Sequence, residues 1–258
     1  MRLYDTHAHF NDEAFREDME AALARAMDAG VTRLNIVGAD EPSSAEAVAM
    51  AERYEPIYAV VGVHPSDSDK YTAATEANIR SWCSLEKVVA IGEIGLDYHF
   101  EDDVDHGIQR EIFRRQLILA AELKMPVVIH SRDAFEDTIA IIKETMPPEG
   151  FRGVFHCFSG SWEQAQICLN LGFYLGFDGP VTFKNAKKAV RVVTEMPLDR
   201  LLLETDCPYM APEPVRSRRN EPAYLPHIAA KVAELRGLST EEIAATTYRN
   251  GCDLFHQK

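Results

Sequence analysis

The sequence contains no apolar run that approaches the length of a membrane span, so it is not that of a membrane-embedded protein. Residues 1–5 lead directly into His7 and His9, which leaves no room for the basic and apolar regions of a secretory signal. The five cysteines are odd in number and widely separated, which disfavours a disulfide framework. We therefore expect a protein of the reducing cytoplasm that has no membrane partner, and no sequence feature indicates an obligate protein partner.

Positive charge is also scarce. The chain has 27 lysine and arginine residues against 41 aspartate and glutamate residues, which gives a formal net charge of −14. This balance works against non-specific attraction to a polyanion and excludes dependence on a broad basic surface. A nucleic-acid substrate would need local help from metal ions or from a confined arginine cluster.

What the sequence does contain is the composition of an ordinary globular protein, 46% hydrophobic and 26% charged, over 258 residues. Short apolar, β-branched segments alternate with longer stretches of amphipathic helical pattern, as in a parallel sheet built from βα units. The segments lie near Leu3–Asp5, Leu34–Val37, Ile57–Val61, Val88–Ile91, Val127–His130, Gly153–His156, Phe173–Gly176 and Leu201–Glu204. We therefore predict one α/β domain over residues 1–258, a (β/α)8 TIM-type barrel.

The helices are indicated by apolar spacing and by capping residues. The pattern predicts helices at Asp12–Ala29, where Gly30 follows as a C-terminal cap, at Gln109–Lys124, and at Ser161–Leu171 with Ser161 as N-cap. A last helix at about Thr240–Leu254 would be an addition to the barrel. Five prolines between Pro208 and Pro226 predict an irregular, ordered loop in that stretch.

His7 and His9 are the first residues that suggest chemistry. In an extended strand, side chains two residues apart point to the same face, so these two imidazoles could share one metal ion. Histidine has many structural uses, and the pair alone is weak support for a metal site. Further ligands are required.

Three further polar residues follow apolar strands, namely His130, His156 and Asp206. In a parallel barrel the carboxyl ends of the strands gather at one rim, so these residues would converge there. The alternative is three unrelated strand-end caps. Glu93 follows Val88–Ile91, and a carboxylate in that position would carry a large desolvation penalty unless a cation met it. Glu93 is therefore the natural bridge between two ions about 4 Å apart.

At this point the sequence strongly resembles the TatD family of metal-dependent deoxyribonucleases, a branch of the amidohydrolase-like hydrolases, over nearly the whole chain. The order and spacing of the shared motifs make the resemblance specific. They are Asp5-Thr6-His7-Ala8-His9, Gly62-Val63-His64-Pro65, Gly92-Glu93-Ile94-Gly95-Leu96-Asp97-Tyr98, Gln109-Arg110 with Phe113 and Gln116, Pro126 through His130, His156-Cys157-Phe158-Ser159-Gly160, Glu204-Thr205-Asp206-Cys207-Pro208-Tyr209, and Arg219-Asn220-Glu221-Pro222.

The resemblance implies two divalent metal ions and a complete ligand set. One ion would lie on His7, His9, Glu93 and Asp206, and the other on Glu93, His130 and His156. Zinc, manganese and magnesium all remain open as the metal. The implied reaction is hydrolysis of DNA phosphodiester bonds by a metal-activated water, from an exposed 3′ end and on single-stranded DNA or DNA with exposed ends. Asp206 and Glu93 would be the catalytic residues, with Asp206 accepting the proton of the water.

Substrate contacts are predicted from position. His64 and Arg132 follow strands and could contact phosphate, but His64 could instead cap a strand end, and Arg132 could pair with Asp133 or Asp137. Arg216, Arg218 and Arg219 form the best local basic patch, or are solvated charges near Glu213 and Glu221.

Tyr209 lies near enough to the expected rim to stack on a base. Asp97 and Tyr98 could support the histidine ligands, and Cys157 and Cys207 should face away if their strands continue.

Two other functions stay open at this level. A binuclear site of this kind could attack a carbonyl carbon, so the substrate could be an amide, an ester, a lactone or an aminoacyl-nucleic acid. The other alternative is a binding or scaffolding protein that retains a metal site.

Overall fold

The eight apolar segments form strands of a parallel sheet in a computed structural model that describes residues 1–99 and 104–255. In this part of the chain the strands follow one another in the sheet in the order β1 to β8. They are β1 (Leu3–Ala8), β2 (Val31–Val37), β3 (Ile57–Val61), β4 (Val88–Asp97), β5 (Val127–Arg132), β6 (Gly153–Phe155), β7 (Tyr174–Phe177) and β8 (Leu201–Leu203). All eight predicted strands are present; β3 has the predicted ends, and each of the others is shifted at one or both ends.

Helices alternate with the strands over the same described residues. They are α1 (Met19–Asp28), α2 (Glu41–Arg53), α3 (Ala73–Trp82), α4 (His106–Leu123), α5 (Phe135–Thr145), α6 (Trp162–Asn170), α7 (Lys187–Glu195), α8 (Leu225–Arg236) and α9 (Thr240–Phe255). The additional C-terminal helix is α9, as predicted. None of these helices combines the length and the apolar composition needed to cross a membrane.

The chain consists of two compact units. The first unit contains residues 1–36 and 156–258, and the second contains residues 37–155. The prediction of one domain over residues 1–258 stays a prediction, and each unit is described by itself.

In the first unit, β1 pairs in parallel with β2 and β7 with β8. Helix α9 packs against β1 and β8, and the contact is close, because a Cβ atom on Gly251 would lie 2.6 Å from the ring of Tyr4. The hydroxyl of Tyr4 donates to the side chain of Asn35, 2.7 Å away. The added helix therefore covers the strand that carries His7.

Asn250, a buried residue of α9, stabilises the approach to β8. Its side-chain amide donates to the carbonyl oxygens of Leu198 and Leu201, at 2.7 and 2.9 Å. Leu201 is the first residue of β8, and Leu198 lies in the turn before it. The buried amide of Asn250 therefore helps to hold the start of β8, which also pairs with β7.

The second unit contains β3 to β6 with α2 to α5. β4 is longer than predicted and runs through Glu93 to Asp97, where the sequence pattern indicated an end at Ile91. The glycines of this strand serve strand packing. A Cβ atom on Gly95, whose φ is 150°, would lie 1.9 Å from the carbonyl oxygen of His130, and one on Gly92 would lie 2.6 Å from Val128. The space beside these glycines is filled by β5.

Two buried glutamines of α4 each bind a residue near the end of a strand. Gln109 accepts from the amide of Asp97 and donates to its carbonyl, with both distances 2.9 Å. Gln116 makes the same pair of bonds to Val63, again at 2.9 Å. Helix α4 thereby satisfies the backbone amide and carbonyl of Asp97 and of Val63. These bonds also hold the neighbours of the two residues in place.

The first predicted helix is interrupted. A short 3-10 turn, Glu13–Phe15, precedes α1, which begins only at Met19. The cause is a distant residue, because the guanidinium of Arg219 binds the carbonyl oxygen of Ala14 and the carboxylate of Asp18.

By contrast, Ser161 caps α6 as predicted and forms a capping box with Gln164.

The proline-rich stretch is irregular from 208 to 221, as predicted. Residues 222–226 are regular, which was not predicted. Pro222 begins a 3-10 turn, and Pro226 lies in the first turn of α8. Proline fits there because the first turn of a helix leaves its backbone amides unpaired. The predicted boundary at Pro226 was therefore too late.

Candidate metal centre

Backbone hydrogen bonds bring the segment after β8 against the end of β1 in the first unit. The amide of Asp206 donates to the carbonyl of His7 at 2.9 Å, and the amide of His9 donates to the carbonyl of Cys207 at 2.8 Å. Asp5, which is fully buried, accepts from the amide and the hydroxyl of Thr205. Residues about 200 positions apart in sequence are therefore held side by side.

Three donor atoms converge at this junction. Nε2 of His7 lies 3.2 Å from Nε2 of His9, and Oδ1 of Asp206 lies 3.7 and 3.5 Å from these two nitrogens. Ligands bound at about 2.1 Å to one divalent ion are separated from one another by roughly 3 to 3.5 Å. The three residues therefore fit a metal ion, and His7 and His9 point to the same side as predicted.

His156 joins this group in the first unit. Its ring stacks on that of His7, with centroids 4.0 Å apart and an angle of 13° between the planes. His7, His156 and Asp206 each offer a donor atom, and these atoms lie within 4.8 Å of one another. Burial by itself would raise the pKa of Asp206, but the His9 contact and the charges of His7 and His156 outweigh it and lower the pKa. Asp206 is thus ionised at neutral pH.

Two buried acids beside His156 were not among the predicted site residues. Glu204 accepts from the amide of Cys157 and has a carboxylate oxygen 3.8 Å from Nδ1 of His156. Burial and the nearby charge of Asp178 raise the pKa of Glu204 well above its ordinary value. Burial and the charge of Asp206 raise the pKa of Asp178 to about 7. Glu204 ends the apolar run of β8, so the strand-end pattern that singled out Asp206 could have found it.

Cys157 does not face away from this group. β6 ends at Phe155, and Cys157 has a φ of 44°, so the alternation expected of a continuing strand does not apply. Its thiol lies 3.2 Å from the carboxylate of Asp178. Burial raises the pKa of the Cys157 thiol well above its ordinary value, and it therefore remains a neutral donor.

In the second unit, His130 lies between two carboxylates. Its Nδ1 is 2.7 Å from Glu93 and its Nε2 is 3.0 Å from Asp97. A ligand histidine commonly has one nitrogen on the metal side and the other held by a carboxylate. Burial would lower the pKa of His130, but the hydrogen bonds to Asp97 and Glu93 outweigh this and raise it to about 9. Asp97 therefore has the geometry of the support predicted for it.

The sequence model of the family described as TatD related DNase matches residues 4–256. The chain belongs to this family. It is 49% identical over 253 residues to the uncharacterized metal-dependent hydrolase YabD of Bacillus subtilis, with 98% of each protein covered. It is 39% identical over 259 residues to the 3′-5′ ssDNA/RNA exonuclease TatD of Klebsiella pneumoniae, with 98% of this chain and 97% of the relative covered. The crystal structure of the TatD homologue YJJV from Escherichia coli superposes with a TM-score of 0.92 at 36% identity, covering 100% of this chain and 99% of the other.

Membership of the TatD family confirms the predicted fold class, a TIM-type (β/α)8 fold with an added C-terminal helix. It also confirms, at the level of the family, that the chain is a metal-dependent hydrolase that acts on nucleic acid. In the described residues of this TatD-family chain, several groups of histidine, aspartate and glutamate could hold a metal. The number and identity of the ions, and the predicted role of each residue, stay predictions.

His64 caps a turn and lies beside Glu93, and its contact with phosphate stays a prediction. Its Nδ1 accepts from the amide of Ser66, 3.2 Å away, so the side chain caps the turn that follows β3. Its Nε2 lies 3.7 Å from Glu93, and its ring centroid lies 4.5 Å from that of His130. Capping therefore holds the imidazole beside Glu93. Tyr98, by contrast, donates its hydroxyl to Asp137.

Arg132 is the last residue of β5 and is exposed. Its carbonyl accepts from the amide of Tyr98, 3.0 Å away. Of the two acids named as alternatives, Asp133 binds His99, and Asp137 binds Tyr98 and Arg110. The role of Arg132 in phosphate binding stays a prediction.

Tyr209 lies beside the first-unit ligands. Its side chain is 55% exposed, and its ring centroid is 6.3 Å from that of His9. Its hydroxyl donates to Asp12 at 3.0 Å. An exposed aromatic face next to a candidate ligand is suited to stack on a base.

The three loop arginines have different surroundings. Arg219 makes two hydrogen bonds to Asp18, at 2.7 and 2.9 Å, and its guanidinium lies 4.2 Å from the ring centroid of Phe15. Arg216 lies over the ring of Phe183 at 3.9 Å, and Arg218 is exposed. Arg219 thus has a structural task within the protein, whereas Arg216 and Arg218 keep an exposed position.

Proposed function

We propose that this chain is a two-metal nuclease that hydrolyses phosphodiester bonds at the 3′ ends of single-stranded DNA. The observation that carries the proposal is the convergence of Nε2 of His7, Nε2 of His9 and Oδ1 of Asp206 to within 3.2 to 3.7 Å. Two imidazole nitrogens and one carboxylate oxygen at these separations form a donor set that suits a divalent cation.

The two ions have the ligands that the family motifs imply. His7, His9, Glu93 and Asp206 would hold one ion, and Glu93, His130 and His156 would hold the other. The contact between Glu93 and His130 in the second unit supports placing these two residues on the same ion. When bound, the ions lower the pKa of a water molecule and neutralise charge on the phosphate.

The residues of the chain perform the remaining tasks. Asp206 is ionised and accepts the proton of the attacking water. Asp97 fixes the ring of His130, and His64 stands beside Glu93 to meet a phosphate oxygen. Arg132, Arg216 and Arg218 bind phosphates further along the strand, whereas Arg219 acts through the loop that it anchors to Asp18.

Two observations favour single-stranded substrate and 3′ polarity. The relative from Klebsiella pneumoniae, 39% identical, is named a 3′-5′ ssDNA/RNA exonuclease. The exposed ring of Tyr209 offers a face on which an unpaired base of a single strand can stack. Because the net charge is −14, the enzyme should depend on contacts at the site and not on a wide basic surface.

The test uses metal-stripped protein reloaded separately with zinc, manganese and magnesium. Oligonucleotides labelled at the 5′ end, either with a free 3′ hydroxyl or blocked at the 3′ end, report cleavage and polarity, and duplex DNA reports strand preference. Progressive shortening of the free single strand alone is expected, with loss on chelation. Asp206→Asn should abolish it, while Asp199→Asn, the same change at an exposed position of the first unit, should not.

A panel of esters, amides and lactones covers the alternative. Turnover of one of these without cleavage of any oligonucleotide would replace the nuclease proposal with a carbonyl hydrolase. Metal binding without turnover of either class would indicate a scaffold that retains the ligands.

A further inference from the structure

The motif Arg219-Asn220-Glu221-Pro222 contains a buried residue that none of the proposed steps uses. Asn220 is 0% exposed. Its Nδ2 donates to the carbonyl oxygens of Thr205 and Tyr209, at 2.7 and 2.6 Å, and its Oδ1 accepts from the amide of Glu221. Its own amide donates to the carbonyl of Pro208 at 3.0 Å. Asn220 therefore binds the segment 205–209 at three points.

This segment contains Asp206 in a backbone conformation that a residue with a side chain rarely adopts. Its φ is 54°, in the left-handed region. Such a conformation persists only where the surrounding structure holds it. Asn220 holds the carbonyl directly before Asp206 and that of Tyr209, three residues after it.

Ion pairs on both sides of Asn220 fix it in turn. Arg219 binds Asp18, and Glu221 binds Arg25 through two hydrogen bonds of 2.9 and 2.6 Å. Asp18 is the N-cap residue of α1, and Arg25 lies in the last turn of the same helix. The side chain of Asn220 is thereby tied to a framework that is separate from the segment it positions.

We propose that Asn220 is a positioning residue for Asp206 and Tyr209, and this inference rests on the proposed function. It sets the turn so that the carboxylate of Asp206 meets His7 and His9, and so that the ring of Tyr209 lies next to His9. Asn220 touches neither the ion nor the substrate. Its effect is transmitted through the peptide groups that it binds.

The chain offers a matched control for this inference. Asn250 is also buried and also bridges two carbonyl oxygens, those of Leu198 and Leu201, at 2.7 and 2.9 Å. Asn250 binds backbone at the start of β8, and Asn220 binds backbone in the segment that follows its end. Of these two bridges, only the one made by Asn220 adjoins Asp206. If both asparagines had a purely structural role, the same substitution at either position should have the same effect on zinc affinity and on kcat.

The experiment compares Asn220→Asp with Asn250→Asp. Each variant keeps the volume of the side chain and removes the two donors. Zinc affinity is measured by competition with a chromophoric chelator. Steady-state kinetics on a single-stranded oligonucleotide give kcat and KM, and thermal unfolding gives the stability. Both variants should unfold at lower temperature, whereas Asn220→Asp alone should lose about 10- to 100-fold in zinc affinity and lose kcat with a smaller change in KM. Asn220→Ser, which adds no charge, serves if Asn220→Asp does not fold.

The outcomes separate this inference from the proposed function. Equal zinc affinity and equal kcat in the two variants would overturn the role of Asn220. Asp206→Asn provides the reference, and if it binds zinc as tightly as the unmodified protein, the ligand assignment and this inference both fail. If the protein binds zinc through Asp206 but cuts no oligonucleotide, the nuclease proposal fails while the affinity comparison still decides the role of Asn220.

Discussion

The carboxylate of Asp97 lies 3.0 Å from Nε2 of His130 and turns Nδ1 of the same ring toward Glu93. Removing this carboxylate in Asp97→Asn should lower metal affinity about 10- to 100-fold, because the ring loses the anion that fixes its orientation and raises its basicity. In the metal-free protein the pKa of His130 should fall from about 9 toward its ordinary value, which NMR titration would measure.

Asp137→Asn is the control for this change, since Asp137 binds Tyr98 and Arg110 in the same unit. A pKa of His130 that is the same in Asp97→Asn as in Asp137→Asn would show that Asp97 does not govern the ring.

The ring of Tyr209 should matter more than its hydroxyl. Tyr209→Phe keeps the exposed face and loses only the bond to Asp12, so KM for a single-stranded oligonucleotide should change little. Tyr209→Ala should raise KM about 5- to 150-fold, which corresponds to about 1–3 kcal/mol for one stacked base. Steady-state kinetics on both variants would measure the difference, and equal KM values would remove the stacking role.

Neutralising Arg216 and Arg218 together should weaken DNA binding and reduce its dependence on salt. Each lost phosphate contact lowers the slope of log affinity against log salt by about 0.7 for a single strand. Binding of a fluorescent single-stranded oligonucleotide that is blocked at its 3′ end to the metal-loaded protein, with and without Arg216→Gln and Arg218→Gln, would measure both effects. Arg191→Gln, at an exposed arginine of α7, is the control, and an unchanged slope in the double variant would exclude phosphate contact by this pair.

Asp18→Asn should reduce stability at neutral pH and lose its effect in acid. The hydrogen bond from Arg219 lowers the pKa of Asp18 to about 2, so the contribution is fully present above the ordinary value of 3.8 and is lost as the pH falls through about 2. Because the side chain is 37% exposed, screening limits the difference to about 1 kcal/mol or less at pH 7.

Urea unfolding at pH 7 and at acidic pH would measure that difference against Asp28→Asn, an exposed change on the same helix. A destabilisation by Asp18→Asn that persists unchanged at pH 2 would contradict the role of the ion pair.

The strands and several caps could be predicted because their signals are local. β-branched runs mark β3 and β5, and Ser161 caps α6 within one turn of chain. The break before α1 could not be predicted, because it depends on Arg219, about 200 residues away. β4 continues past its apolar run because Gln109 binds the backbone of Asp97, a contact that no periodicity expresses.

In the candidate site, too, some features could be predicted from local sequence patterns and others could not. His7 and His9 were predictable from strand alternation, and Asp206 was predictable because it follows an apolar strand. Glu204 could have been found by the same strand-end pattern, whereas the raised pKa values of Glu204 and Asp178 depend on burial that the pattern does not report. The surroundings of Cys157 depend on a backbone φ of 44°, which ended the alternation on which its expected orientation relied.

The two glutamines of α4 make helix length a constraint on this enzyme. Gln109 and Gln116 lie seven residues apart, about 10.5 Å along a helix. Gln109 binds the backbone of Asp97, and Gln116 binds that of Val63, the residue before His64. A point substitution on the solvent side of α4 leaves that spacing intact. An insertion or deletion of one residue between them would rotate one glutamine by about 100° away from its strand. Sequences that share this arrangement should therefore vary in the composition of α4 between the two glutamines and not in its number of residues.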